Sequence, residues 1–188
     1  MIKKVLVLNG GGRPHGNTAQ LVNSFVRGVT DAGHHVEVVS LAKNEVKPCL
    51  GCFVCQQGKP CVQNDSFNSI VPKIKESDLL VFASPSYYFS VNSRIKAFIE
   101  RLFSIENSYL RDPKTPTKDV ALLVTAADNS DWNFDNIKGF YKKCFMEWLK
   151  FNDKGMILAG GCVDDNKTTG IEKTGFLEKA YQFGKKIY

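Results

Sequence analysis

The sequence predicts a doubly wound α/β domain with five parallel strands in the order 2-1-3-4-5 and helices on both faces. Short runs rich in Val, Ile and Leu recur at residues 5–8, 36–41, 79–83, 120–125 and 156–158. None shows the strict polar alternation of a half-solvated strand, so each reads as a strand buried on both faces. Segments with helical spacing separate them, and five alternations of strand and helix imply right-handed crossovers in one parallel sheet. With 188 residues, 43% of them hydrophobic, the chain has the apolar surface for one core and needs no second domain. The expected unit is therefore 1–188, with a cysteine-rich loop at about 44–66.

After the first strand, Leu21, Val22, Phe25, Val26 and Val29 fall at i, i+1, i+4, i+5 and i+8, one stripe of a helix facing a sheet. A weaker helix is expected over 67–76, irregular at Pro72 because proline lacks the N–H of a helical turn. Clearer helices are expected at 92–102, 134–149 and 175–187. The strand order places a ligand crevice at the carboxyl ends of the strands beside the first one. Functional residues should then lie in the loops after strands 1, 3 and 4.

The loop after strand 1 runs Asn9-Gly10-Gly11-Gly12-Arg13-Pro14-His15-Gly16-Asn17-Thr18 and opens a helix. Backbone N–H groups and the helix dipole gather around an anion in that setting. The dinucleotide fingerprint G-x-G-x-x-G fails, since after Gly10 and Gly12 the third glycine would fall at His15. The P-loop template fits Gly11, Gly16 and Thr18 but has Asn17 in place of lysine, which removes the β/γ-phosphate contact of a nucleotide hydrolase. What remains is a cradle for one phosphate, with side-chain donors from Asn17 and Thr18. A plain N-cap by Asn17 is the alternative, but a cap does not require four glycines and an arginine around it.

Strand 3 leads into Ser84-Pro85-Ser86-Tyr87-Tyr88-Phe89-Ser90. A proline and three successive aromatics at a strand's carboxyl end can wall a planar aromatic ligand, with Ser86 and Ser90 for its polar edge. Core packing is the alternative for any one of these rings. After strand 4, Thr125-Ala126-Ala127-Asp128-Asn129-Ser130-Asp131-Trp132 is a small polar loop that by itself reads as an ordinary connection.

Cys49, Cys52, Cys55 and Cys61 form a C-x2-C-x2-C-x5-C array, with Gly51 and Gly58 to allow sharp turns. Soft thiolate ligands suit iron–sulfur or zinc, and zinc sites more often pair two knuckles across a longer spacer. Unmetallated structural thiols are the other reading. Cys144 and Cys162 lie outside the array and read as buried small hydrophobes.

These stretches resemble the flavodoxin-like NAD(P)H-dependent FMN reductases and iron–sulfur flavoproteins. The first loop of those proteins commonly reads G-S-P-R-x-x-G-N-T; Gly10, Arg13, Gly16, Asn17 and Thr18 match, and Gly11 and Gly12 replace Ser and Pro. Pro85, Tyr87 and Tyr88 match P-x-Y-[FW]-G, with Phe89 in place of glycine, and Ile95-Lys96-Ala97-Phe98-Ile99-Glu100-Arg101 matches L-K-A-F-[IL]-D-R. The resemblance implies FMN, its phosphate on Gly10, Gly11, Gly12, Arg13, Gly16, Asn17 and Thr18. It puts the ring against Pro85, Ser86, Tyr87, Tyr88, Phe89 and Ser90, and the pyrimidine edge near Thr125, Ala126, Ala127 and Asp128. In the iron–sulfur flavoproteins the compact cysteine motif ligates a [4Fe-4S] cluster, so Cys49, Cys52, Cys55 and Cys61 become its ligands here. Related flavin reductases carry a nearly identical stretch without a cluster. The resemblance further implies a homodimer or homotetramer with the flavin near a subunit interface.

The expected activity is an FMN-dependent oxidoreductase taking hydride from NAD(P)H onto flavin N5, with no protein acid or base required. Its electrons would pass to a cluster, a flavin, a quinone or a protein acceptor, since a flavin converts between two-electron and one-electron chemistry. A non-enzymatic flavin or Fe–S electron carrier or redox sensor is the alternative. A receiver-type phosphate switch is excluded because Gly10 to Gly12 stand where its acidic cluster would lie. The net charge is +6 and the pI about 9.0, but Lys and Arg are scattered rather than gathered on one element, so no nucleic-acid partner is expected. No run approaches the ~20 apolar residues of a membrane span, and the N-terminus lacks a signal-peptide pattern, so the expected compartment is the cytoplasm.

Overall fold

The computed structural model describes residues 1–164 and 170–188. The sheet is built from β1 (Lys4–Asn9), β2 (His35–Ser40), β3 (Leu79–Tyr87), β5 (Asp119–Thr125) and β6 (Asn152–Ala159). A two-residue strand, β4 (Ser90–Val91), pairs off the end of β3. The helices are α1 (Asn17–Asp31), α2 (Phe67–Glu76), α3 (Ser93–Arg101), α4 (Asp135–Tyr141) and α5 (Phe176–Lys185). The five main strands are parallel in the order β2-β1-β3-β5-β6, which is the expected 2-1-3-4-5.

Alternation within each strand sends side chains to opposite faces. Leu6, Leu8, Leu80, Phe82, Leu122 and Val124 join the core beneath α2, α3 and the α4 segment. Val5, Val7, Leu79, Val81, Ala121 and Leu123 join the core beneath α1 and α5. The two outer helices approach closely because Gly28 and Gly184 face each other's backbone. A Cβ on Gly28 would lie 2.8 Å from Lys185 N, and one on Gly184 would lie 3.0 Å from Val29 N.

Three elements differ in extent from the sequence reading. β3 continues through Ser84 and Pro85, because β5 extends alongside to Thr125. Pro85 lies beyond the end of β1, whose last partner on β3 is Ala83, a one-sided setting in which a strand tolerates proline. β6 begins at Asn152, four residues before its apolar run, since its polar first half pairs Asp119 at the sheet edge. The helix expected over 134–149 is α-helical only to Tyr141 and then widens into a π-helical turn, Lys142–Trp148, that keeps Phe145 buried and stacked on Phe82 at 4.7 Å. Among the described residues no helix is long and apolar enough to cross a membrane.

Candidate functional site

A cavity of about 460 Å³ opens at the carboxyl ends of β1, β3 and β5, within the size range of cofactor sites. Gly11, Gly12, Arg13, Gly16, Asn17 and Thr18 form one wall. Pro85, Ser86 and Tyr87 form a second, Thr125, Ala126 and Ala127 a third, and Cys162, Val163 and Asp164 close the remaining side. Gly10 lies behind the first wall. Tyr88, Phe89, Ser90 and Asp128 lie outside the lining.

The glycines of the first loop serve space rather than backbone handedness, since none of the four has positive φ. A Cβ on Gly10 would lie 2.6 Å from Ile95 Cγ1 and 2.7 Å from Asn92 Oδ1. One on Gly11 would lie 3.0 Å from Asn9 Oδ1, and one on Gly12 3.3 Å from the Arg94 guanidinium. Asn92 fixes the loop's position: its Nδ2 donates to Gly10 O at 2.6 Å, its N–H to Ser84 Oγ at 2.8 Å, and its Oδ1 caps α3 by accepting from Ile95 N. The loop after β1 and the end of β3 are thereby locked together.

α1 begins without a side-chain cap, because its N-cap residue is Gly16. The backbone N–H groups of Gly12, Arg13, Asn17 and Thr18 find no acceptor among the described residues. An uncapped helix start that lines a cavity and is flanked by Arg13 and Arg94 has the charge and the donors that an anion site requires.

The side chains of this wall are already engaged. Asn17 Nδ2 donates to Cys162 O at 3.0 Å and Asp164 Oδ1 at 2.7 Å, while its Oδ1 accepts from Ile171 N at 2.9 Å. Asn17 therefore ties the segment after β6 to α1, and what it can offer an anion is its backbone N–H. Thr18 and Thr125 share a hydroxyl hydrogen bond of 2.7 Å across the cavity floor. Arg13 is ion-paired with Asp164. The Gly170 N–H, opposed by burial and aided by Arg13 and Asn17, holds the Asp164 carboxyl below its ordinary pKa. Burial pushes the Cys162 thiol up to about 11, so it contributes as a neutral wall.

The segment 44–66 crosses the α3 side of the sheet. Gly51 and Gly58 have φ of 64° and 80°, the left-handed turns that glycine makes at least cost, and Phe53 also has positive φ at 58°. Cys49, Cys52, Cys55 and Cys61 are free thiols lining one small cavity with Arg101 and Phe103. Arg101 is only 1% exposed, and its Nε is a buried donor with no hydrogen-bond partner among the described residues. Among the described residues no three His, Cys, Asp or Glu side chains converge on a single metal ion.

Arg94, Asn92, Cys162, Val163 and Asp164 were not foreseen as part of this site. Only Asn92, a cap residue opening a helix, carried a local signal.

A family model described as NADPH-dependent FMN reductase matches residues 3–132. The chain belongs to that family. The matched residues carry the first three cavity walls and the cysteine array. An iron–sulfur flavoprotein of Clostridioides difficile is 31% identical over 93% of this chain and 72% of its own length. Another, from Methanocaldococcus jannaschii, is 35% identical over 98 residues, so this chain spans about half of it, 51%. Among solved structures, an NAD(P)H:quinone oxidoreductase from Methanothermobacter marburgensis superposes over 100% of both chains with a TM-score of 0.78 at 15% identity, a likeness of fold.

Proposed function

We propose that the cavity holds FMN and that the protein uses it to take hydride from NAD(P)H and pass the electrons to a separate acceptor. The observation that carries this reading is the uncapped start of α1. Unpartnered N–H groups of Gly12, Arg13, Asn17 and Thr18 line a cavity large enough for the whole cofactor. A phosphate there would satisfy donors that no other described residue satisfies, and charge-assisted hydrogen bonds of this kind are about twice as strong as neutral ones. The glycine loop fits the group, since side chains at Gly11 or Gly12 would crowd the wall. Pro85, Ser86 and Tyr87 would flank the ring, and the N–H of Ala127 would meet its polar edge, since that of Ala126 is donated to Ala159 O. When bound, the flavin supplies hydride acceptance and the conversion from two-electron to one-electron transfer.

Cys49, Cys52, Cys55 and Cys61 would hold a [4Fe-4S] cluster. The support is the donor set: four soft thiols around one cavity, with the orphaned Arg101 Nε as a hydrogen-bond donor to bound sulfur. A homodimer or homotetramer, and a cytoplasmic location, complete the reading.

Anaerobic purification followed by absorption spectra, iron and labile-sulfide assays, and NAD(P)H oxidation with an added acceptor tests it. Steady turnover with FMN bound is expected, with about four irons per chain if the array is loaded. Flavin loading without turnover would leave an electron carrier or sensor. Flavin without iron would leave a simple FMN-dependent reductase.

Asp164→Asn is expected to tighten FMN binding about five-fold. The carboxylate that engages Arg13 would repel a phosphate, while the amide keeps an acceptor for Gly170 and Asn17. The gain is modest because the Arg13 side chain is 68% exposed. Flavin-fluorescence titration of both proteins measures it, and unchanged or weaker binding would refute the role given to Asp164.

A further inference from the structure

The hairpin after β3 holds two residues that the phosphate and cysteine sites do not use. Tyr87 pairs with Ser90 across a two-residue loop, and the loop residues Tyr88 and Phe89 have φ of 48° and 62°. Both lie in the left-handed region, where Asn-Gly would sit with least strain and a bulky residue is an outlier. Burial does not offset the strain, since Tyr88 is 98% and Phe89 40% exposed. The contact that Phe89 does make is with Trp132, ring centroids 5.0 Å apart and planes inclined at 37°.

Trp132 lies in the turn after β5 and is itself 58% exposed. The pair therefore joins the hairpin beyond Tyr87 to the loop that continues from Ala127, and these two loops form two walls of the cavity. Backbone strain retained beside a cavity, with aromatic faces left half open, marks a binding surface rather than a packing device.

We propose that Phe89 and Trp132 form an aromatic rim that selects the electron acceptor, favouring planar aromatic acceptors of the quinone class over compact hydrated anions. This rests on the reading of the cavity as a flavin site. A quinone presents a π face to the open rings, whereas a multivalent anion must shed water to lie against them and gains no stacking in return. The overall exchange balances: NAD(P)H gives two electrons and one proton as hydride, solvent gives the second proton, and the quinone leaves as hydroquinone.

The test uses the FMN-loaded protein with NAD(P)H and two acceptors, menadione and ferricyanide, comparing wild type with Phe89→Gly and Trp132→Leu. The ratio of kcat/KM for menadione to that for ferricyanide is expected to fall about ten-fold in each variant through the KM for menadione, the size of one aromatic contact. Phe89→Gly is also expected to melt at or above the wild-type temperature, because glycine accepts the φ of that position. An unchanged ratio in both variants overturns the proposal. So does a Phe89→Gly protein that melts well below wild type, which would make the ring structural. Wild-type protein that binds FMN yet oxidises NAD(P)H with neither acceptor overturns the reductase reading and the rim with it; failure of the ratio alone overturns only the rim.

Discussion

Asp65→Ala is expected to cost about 3–5 kcal/mol of stability, because it leaves a buried guanidinium without its counterion. Arg101 and Asp65 are 1% and 3% exposed. Arg101 Nη1 and Nη2 donate to the two carboxylate oxygens at 2.6 and 3.2 Å, and Nη1 also donates to Lys47 O at 3.0 Å. The Lys47 and Phe67 N–H groups donate to the same carboxylate. Asp65 ends the cysteine-rich segment and Arg101 ends α3, so the pair pins one to the other. Burial raises the Asp65 pKa, but hydrogen bonds from Arg101, Lys47 and Phe67 outweigh it and hold the carboxyl below its ordinary value. A depressed folded-state pKa contributes stability above the unfolded-state pKa of about 3.9 and loses it as pH falls through the folded value. Urea unfolding at pH 7 measures the loss. Titration below pH 4 should show wild type losing stability more steeply than Asp65→Ala. A cost under about 1 kcal/mol would show that the pair is not coupled to the core.

Gly28→Ala is expected to destabilise by about 3 kcal/mol, at the upper end of overpacking effects. On an exposed helix the same change stabilises by up to about 1 kcal/mol, so the sign decides between packing and propensity. The new Cβ would press on Tyr181 O and lie 2.8 Å from Lys185 N, backbone atoms of α5 that cannot swing aside. The other end of α1 is the proposed phosphate site, so displacing the helix should weaken flavin retention as well. Gly139→Ala in α4 is the control: beyond its neighbours and the helix's own backbone, no atom of the described residues lies within 4 Å of its Cβ position, and a small gain in stability is expected there. Thermal and urea midpoints of the two variants should move in opposite directions.

The sheet was legible because its central strands are buried on both faces and read as continuous apolar runs. Where a strand is polar or very short, as in the first half of β6 or in β4, that signal vanishes. The glycine-rich loop that lines the cavity was legible because a strand-to-helix turn of this kind is local. The role of Asn17 was not, since its partners Cys162, Asp164 and Ile171 lie about 150 residues away and only the tertiary fold brings them together. The same holds for Arg94, which reaches Gly12 from the first turn of α3. Three consecutive aromatics suggested one wall, but a two-residue hairpin turn leaves Tyr87 alone lining the cavity and directs Phe89 to Trp132. The cysteine spacing was plain, whereas the buried Arg101 and Asp65 beneath it were hidden in an otherwise ordinary amphipathic helix and loop.

The central claim is that the start of α1 binds the phosphate of FMN, and a paired titration of flavin-free protein with FMN and riboflavin, followed by flavin fluorescence, tests it most directly. FMN is expected to bind about 100-fold more tightly than riboflavin, the worth of one to two charge-assisted hydrogen bonds. Equal affinities for the two, or binding of neither, would contradict the account.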